Sequence, residues 1–406
     1  MTTLEQIAEL EQKYLLQTYN RYPLVLTRGK GVFVYDIEGN RYLDFVAGLG
    51  VNALGHAHPR IVKTIREQAA KLVHVSNLYY HEYQGPLAEK LCSLSGGSSG
   101  MSRAFFSNSG TEAIEGSIKL ARLAGHRVGG DAKCRLVALD GSYHGRTFGA
   151  LSLTGQDKHR KGFEPLLEDV TFVRQNDVEG LRAAVNDNTC ALVLEPIFGE
   201  GGIYECSVEF LQECRALADR HRAALIFDEI QCGLGRTGTI FAFQTFGVTP
   251  DIVAIAKPLA AGLPLGAFLA KEDFASAISP GQHGTTFGGG PLACRVALEF
   301  LAIVEEEKLL ENVNRVGAYL QQQLNDLIGK RAAAKEVRGR GFIQGIQLDV
   351  PARPIVDAGL AEGVLFNSTQ DTVVRFLPPF LLEEKHVDKG IRVLKKLLGK
   401  RRKVAA

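Results

Sequence analysis

The chain lacks an excess of either charge, a long apolar run and any paired-cysteine motif. Lys and Arg number 47 against 45 Asp and Glu, a formal net charge of +2. That balance gives no reason to expect nucleic acid or a membrane surface as partner. No stretch of about 18 apolar residues occurs, so no segment reads as a spanning helix. The seven cysteines (Cys92, Cys134, Cys190, Cys206, Cys214, Cys232, Cys294) are scattered and form no CxxC pair. This argues against a zinc site and a disulfide framework, and fits a reducing cytoplasm. The opening MTTLEQIAELEQKYL is polar and amphipathic, without the apolar core of a secretory signal. The basic tail Lys395, Lys396, Lys400, Arg401, Arg402 and Lys403 is read as a solvated, frayed end. Neither an internal repeat nor a low-complexity linker is present.

What is present is the composition of a soluble globular protein, 45% hydrophobic and 23% charged. Its 406 residues suffice for two or three domains at about 150 residues each. Through the middle of the chain, short apolar runs at 103–107, 135–139, 191–194, 224–227, 252–256 and 265–270 alternate with helical patterns at 111–124 and 208–221. Apolar runs without strict alternation imply strands buried on both faces, hence an α/β fold with a mostly parallel sheet. Ligands of such sheets bind beyond the carboxyl ends of the strands. The ends of the chain differ. Segments 31–36 and 41–45 flank Glu38-Gly39-Asn40 as a hairpin. Two long helical patterns fill about 292–328, and 344–348 and 373–376 read as strands. The expected organisation is a large domain over 61–290 and a small α+β domain over 291–406, joined by the segment 1–60.

Four segments carry the chemistry. Asp228, in ALIFDEIQCG, ends a hydrophobic strand, where an acid is costly unless paired. A protonated ring nitrogen would pair it and make the ring an electron sink; a capping or metal-binding role is the alternative. Lys257, in DIVAIAKPLAAG, also ends an apolar strand. A desolvated lysine can attack an aldehyde to form a Schiff base, whereas in isolation it reads as a surface lysine. Ser109, Gly110 and Thr111 stand where a strand turns into a helix, so hydroxyls and free N–H groups meet the positive end of the macrodipole, a place for a phosphate or a simple N-cap. In SYHGRT, Tyr143 could stack on a flat ring and Arg146 could grip a carboxylate in bidentate fashion; a turn with a surface arginine fits equally. The GLGRTG segment at 233–238 matches GxGxxG, but no amphipathic helix follows, which argues against a dinucleotide site. His56 and His58 lack a third ligand at a sensible spacing, so no metal site is expected.

Taken in order, GVFVYDIEGNRYLDFVAGLGVNALGHAHP, SNSGTEA, SYHGRT, LEPIFGEGG, IFDEIQCGLGRTG, IAKPLAAGLPLGA, HGTTFGG and VRFLPPF resemble the class III (ornithine-type) aminotransferases, of the pyridoxal-phosphate-dependent transferase fold type I. The resemblance covers nearly the whole chain. It implies pyridoxal 5′-phosphate held by Lys257, with Asp228 on the ring nitrogen, Gln231 near the ring hydroxyl, and Ile230 and Tyr143 against the ring. It places the phosphate at Ser109, Gly110 and Thr111, with Thr286 reaching the phosphate of a neighbouring subunit in a homodimer with shared sites. Arg146, with Thr285 nearby, would grip a substrate carboxylate. Glu200 would pair with Arg375, a pair that opens when a carboxylate of 2-oxoglutarate or glutamate enters. Tyr143 stands where the family more often has phenylalanine. Within the family the likeness points to transamination of N2-acetyl-L-ornithine with 2-oxoglutarate, a step of arginine biosynthesis. Ornithine, succinylornithine, acetyl-lysine-type and 4-aminobutyrate donors remain open, as does a non-transaminating enzyme of the same fold or a non-enzymatic binding protein.

Overall fold

Seven short apolar runs form one sheet in the order Arg103–Ser107, Gly266–Ala270, Ile252–Ile255, Ala224–Asp228, Thr189–Leu194, Arg135–Leu139, Val170–Val173. They belong to a computed structural model that describes residues 3–97, 100–331 and 333–399. Lys400, Arg401, Arg402 and Lys403 of the basic tail lie outside the described residues. Gly266–Ala270 runs antiparallel to both neighbours, and the other pairings are parallel.

The absence of alternation in these runs has a direct structural cause. Leu192, Leu194, Leu225, Phe227, Val253 and Ile255 share a core with Phe210 and Leu211 of the helix Val208–His221. Their chain neighbours Ala191, Val193, Ala224, Ile226, Ile252 and Ala254 share another with Ile114 and Ile118 of the helix Gly110–Gly129. Successive strand residues point to opposite faces, so apolar cover on both sides demands apolar residues at every position.

The structure goes beyond the expected elements at one helix end and in several strands. Helix Gly110–Gly129 continues past Ala124. Gly125 lies inside it because the chain at Lys133 crosses so closely that a Cβ on Gly125 would stand 2.6 Å from the Lys133 carbonyl oxygen. Among the described residues, five strands lie outside the expected ones: Leu26–Lys30, Val170–Val173, Ala334–Arg340, Val364–Leu365 and Asn367–Thr369. Val170–Val173 and Ala334–Arg340 are partly exposed and carry polar residues, which blurs their apolar pattern.

At the C-terminal end, Ala334–Arg340, Ile343–Leu348, Val373–Phe376 and Asn367–Thr369 form an antiparallel sheet in that order. The helices Pro291–Glu306 and Leu309–Asn325 occupy the expected helical region. Near the N-terminus, Leu26–Lys30, Phe33–Asp36 and Arg41–Asp44 form a meander. Asp36 shapes its second turn by accepting from the N–H groups of Glu38 and Asn40. The strand Val364–Leu365 joins this sheet beside Arg41–Asp44, in parallel.

The GLGRTG segment is a structural clamp. Arg236 is fully buried. It donates to the carbonyls of Pro378, Phe342 and Gly50, tying three distant parts of the chain together. Only the five-residue helix Ala242–Phe246 follows.

Candidate active site

Because the strands Arg135–Leu139, Thr189–Leu194, Ala224–Asp228 and Ile252–Ile255 are parallel, the residues that follow each of them emerge at one edge of the sheet. There they enclose a cavity of ≈ 460 Å³. Ser109, Gly110, Thr111, Tyr143, Arg146, Glu200, Asp228, Ile230, Gln231 and Lys257 all line it. Arg375 stands behind Glu200, in contact with it and with Gln231. Thr285 and Thr286 are not brought to this cavity. They line a neighbouring one of ≈ 390 Å³, which shares Asn108 with the first. The Asn108 side-chain amide donates to Thr285 Oγ1 at 3.3 Å.

Asp228 is 3% exposed. Its Oδ1 accepts from the Ile230 N–H at 3.0 Å, and its Oδ2 lies 2.8 Å from His144 Nδ1. His144 is equally buried, and its Nε2 has no partner. The sequence reading did not assign His144 or Glu195. The Glu195 carboxylate accepts from the N–H groups of Tyr143 and Gly199, each at 2.8 Å. It therefore fixes both the aromatic segment and the loop that carries Glu200. Burial, then the charge of Asp228, pushes Glu195 up to about 7. Both residues follow apolar strands within SYHGRT and LEPIFGEGG, and that position was the available signal.

Lys257 sits at φ +22°, an unusual backbone for a residue with a side chain. Burial lowers the pKa of its amine, with Arg375 acting in the same direction and Glu200, Asp228 and Glu195 opposing. A lowered pKa favours the uncharged, nucleophilic form of the amine. Glu200 accepts from Arg375 Nη1 at 2.6 Å. Burial alone would raise Glu200, but the charge and hydrogen bond of Arg375 overcome it and hold the carboxyl at about 2. Arg146 is exposed at the mouth, its Nε 3.2 Å from the Tyr143 hydroxyl and its guanidinium 5.6 Å from the ring centroid.

At the other end of the cavity, Ser109 is the extended N-cap of the 20-residue helix Gly110–Gly129. The first N–H groups of a helix have no partner within it; the Glu112 N–H is capped by Ser109 Oγ, while Gly110 and Thr111 line the cavity. Gly110 leaves a cradle: a Cβ there would stand 2.7 Å from Ile230 Cδ1. Thr111 Oγ1 is held 2.8 Å from Thr147 Oγ1.

A family profile described as aminotransferase class-III matches residues 14–398. The chain belongs to this family. Among curated relatives of this class III chain, the acetylornithine aminotransferase of Methanocaldococcus jannaschii is 47% identical, covering 96% of the chain and 97% of that protein. The protein of the same name from Caldanaerobacter subterraneus subsp. tengcongensis is 45% identical, covering 96% and 98%. Among solved structures, the ornithine aminotransferase of Toxoplasma gondii superposes with a TM-score of 0.93 at 32% identity, covering 98% of the chain and 95% of that structure. The acetylornithine aminotransferase of Elizabethkingia anophelis gives 0.87 at 31%, covering 98% and 99%. The protein is thus a pyridoxal-phosphate-dependent aminotransferase of fold type I. Its residues fit that cofactor: an amine of lowered pKa, a buried acid, a cradle at Gly110 and a helix N-terminus share one cavity.

Proposed function

We propose that this class III aminotransferase moves the side-chain amino group of N2-acetyl-L-ornithine to 2-oxoglutarate. The products are N-acetyl-L-glutamate 5-semialdehyde and L-glutamate, in arginine biosynthesis. One observation carries the reading within the site: Arg375 is a buried cation beside Lys257, neutralised by the partly exposed Glu200. A donor whose reacting carbon bears no carboxylate leaves that pair closed. A 2-oxo acid brings a carboxylate to the same place and displaces Glu200. Exposed Arg146 takes the remaining carboxylate of either substrate, in the two-pronged fashion open to guanidinium. The names of the relatives, acetylornithine aminotransferases at 42–47% identity, support the same donor.

Bound pyridoxal phosphate supplies an aldehyde for Schiff-base exchange and a ring that draws electrons from the amine-bearing carbon. Lys257 Nζ would hold the cofactor and, once the substrate amine has displaced it, could carry a proton between the two carbons of the shift. Asp228, oriented by His144 and the Ile230 N–H, keeps a proton on the ring nitrogen. Ile230 and Tyr143, which line the same cavity, would flank the ring, and Gln231 would meet its hydroxyl. Ser109, Gly110 and Thr111 bind the phosphate through the helix N-terminus. Thr286, with Thr285 beside it, serves the phosphate of a second subunit, which accounts for their separation from the Lys257 cavity within one chain. A homodimer follows, with Leu78, Tyr80 and Phe287 in the contact. All three are exposed: Leu78 and Tyr80 on the segment that Asn77 ties to the Thr285 loop, and Phe287 on that loop. A cytoplasmic location agrees with the free cysteines. Among the described residues no helix is long and apolar enough to cross a membrane.

The test is a panel of donors with 2-oxoglutarate as acceptor: acetylornithine, ornithine, succinylornithine and 4-aminobutyrate. Acetylornithine is expected to give a kcat/KM at least tenfold above ornithine and 4-aminobutyrate. A higher value for any other donor reassigns the substrate.

A further inference from the structure

We propose that Asn367 is a positioning residue for the keto-acid half of the reaction, a neutral anchor that aims Arg375 without cancelling its charge. The inference rests on the reading of Arg375 as a carboxylate grip. Asn367 and Arg375 are direct partners across the antiparallel pair Asn367–Thr369 with Val373–Phe376. Asn367 Oδ1 accepts from Arg375 Nε at 2.9 Å and from Nη2 at 2.6 Å, so one edge of the guanidinium is fixed by its own sheet. The other terminal nitrogen, Nη1, faces the Gly199 carbonyl at 2.8 Å, Glu200 Oε1 at 2.6 Å and Gln231 Oε1 at 3.1 Å. Nη1 carries only two hydrogens for these three acceptors.

Every one of these acceptors but Glu200 is an uncharged dipole. Among the described residues, Glu200 is the ion-pair partner of Arg375, with side-chain exposures of 29% and 1%. The movable member is therefore the acid. Its backbone is held, because the Glu200 carbonyl accepts from Thr369 Oγ1 at 2.7 Å and Gln370 Nε2 at 2.8 Å. When the Glu200 side chain leaves, Asn367 still points the Nη1–Nη2 fork at the cavity, and the full positive charge becomes available to an incoming carboxylate. An aspartate at position 367 would keep the same geometry and neutralise the arginine permanently, since a carboxylate pairs with the Nε–Nη2 edge as well as an amide oxygen does. Neutrality at position 367 is thus the feature that makes the counter-charge removable.

The test uses the holoenzyme and its Asn367→Asp, Asn367→Ala and Arg375→Ala variants. The two half-reactions are followed separately by the cofactor's absorbance, and glutarate, a dicarboxylate that cannot accept an amine, is titrated for its Kd. Asn367→Asp is expected to weaken glutarate and 2-oxoglutarate at least tenfold while the KM for acetylornithine stays within twofold. Asn367→Ala, which loses aim but not charge, is expected to fall between wild type and Asn367→Asp. Glutarate affinity within twofold of wild type in Asn367→Asp, alongside a tenfold loss in Arg375→Ala, overturns the inference alone. Undiminished affinity in Arg375→Ala overturns the carboxylate-grip reading beneath it. Equal losses in both half-reactions of Asn367→Asp also overturn the inference, because they mark a general disturbance of the site.

Discussion

At the scale of single residues, Lys257 is the sharpest case. In isolation a lysine at a strand end is a surface lysine. Here burial lowers its pKa, and it shares a cavity with Asp228, one strand away in the same sheet. Replacing Lys257 with Ala is expected to cost at least about 10²-fold in turnover, the lower range for a general acid–base group. Borohydride reduction of the holoenzyme should then label no peptide; labelling of another lysine would refute its role as the cofactor's anchor. Asp228→Asn keeps the shape but not the charge. It is expected to lower kcat by about 10²–10³-fold, the loss seen for other electrostatic contacts, and a kcat within twofold of wild type would contradict its role. These two residues could be read from sequence because each interrupts an apolar strand end with a charge. His144 and Glu195 offered only their place after an apolar strand, and Asn367 offered no such signal. Their work is to orient another residue, and only folding brings them to Asp228, Tyr143 and Arg375.

At the scale of elements, the buried strands were readable for the same reason they are stable, with apolar side chains on both faces. The strands Val170–Val173 and Ala334–Arg340 escaped because their exposure mixes polar with apolar positions. The end of helix Gly110–Gly129 escaped because Gly125 normally signals a stop, and here serves a close crossing. The short helix Ala242–Phe246 depends on Glu229, whose carboxylate accepts from the N–H groups of Ala242 at 2.5 Å and Phe243 at 2.7 Å. Burial pushes Glu229 up to about 8, against the pull of those two bonds. A carboxyl raised in the folded state is stabilising below its ordinary range and loses that contribution as pH rises through about 8. The stability advantage of the wild type over Glu229→Gln is therefore expected to shrink by a few kcal/mol between pH 5 and 8 in denaturant titrations. A difference independent of pH would show that the acid stays ionised throughout.

At the scale of the whole molecule, the exposed Leu78, Tyr80 and Phe287 sit beside the loop bearing Thr285 and Thr286, and large exposed apolar patches mark interfaces. The double variant Leu78→Asp, Tyr80→Asp is expected to run as a monomer by light scattering and to bind pyridoxal phosphate at least tenfold more weakly. A wild type that itself runs as a monomer would refute the homodimer, and a variant that stays dimeric would move the interface elsewhere.

The sheet near the N-terminus has a consequence for how the chain is made. Arg41–Asp44 gains its outer neighbour only from Val364–Leu365, 321 residues later (364 minus 43). At roughly 5–20 residues per second, the ribosome delivers that neighbour about 15–65 seconds after the first strands emerge. For that interval the meander carries an open edge, the kind that pairs with other chains. During synthesis the edge at Arg41–Asp44 thus stays open until Val364–Leu365 has been made.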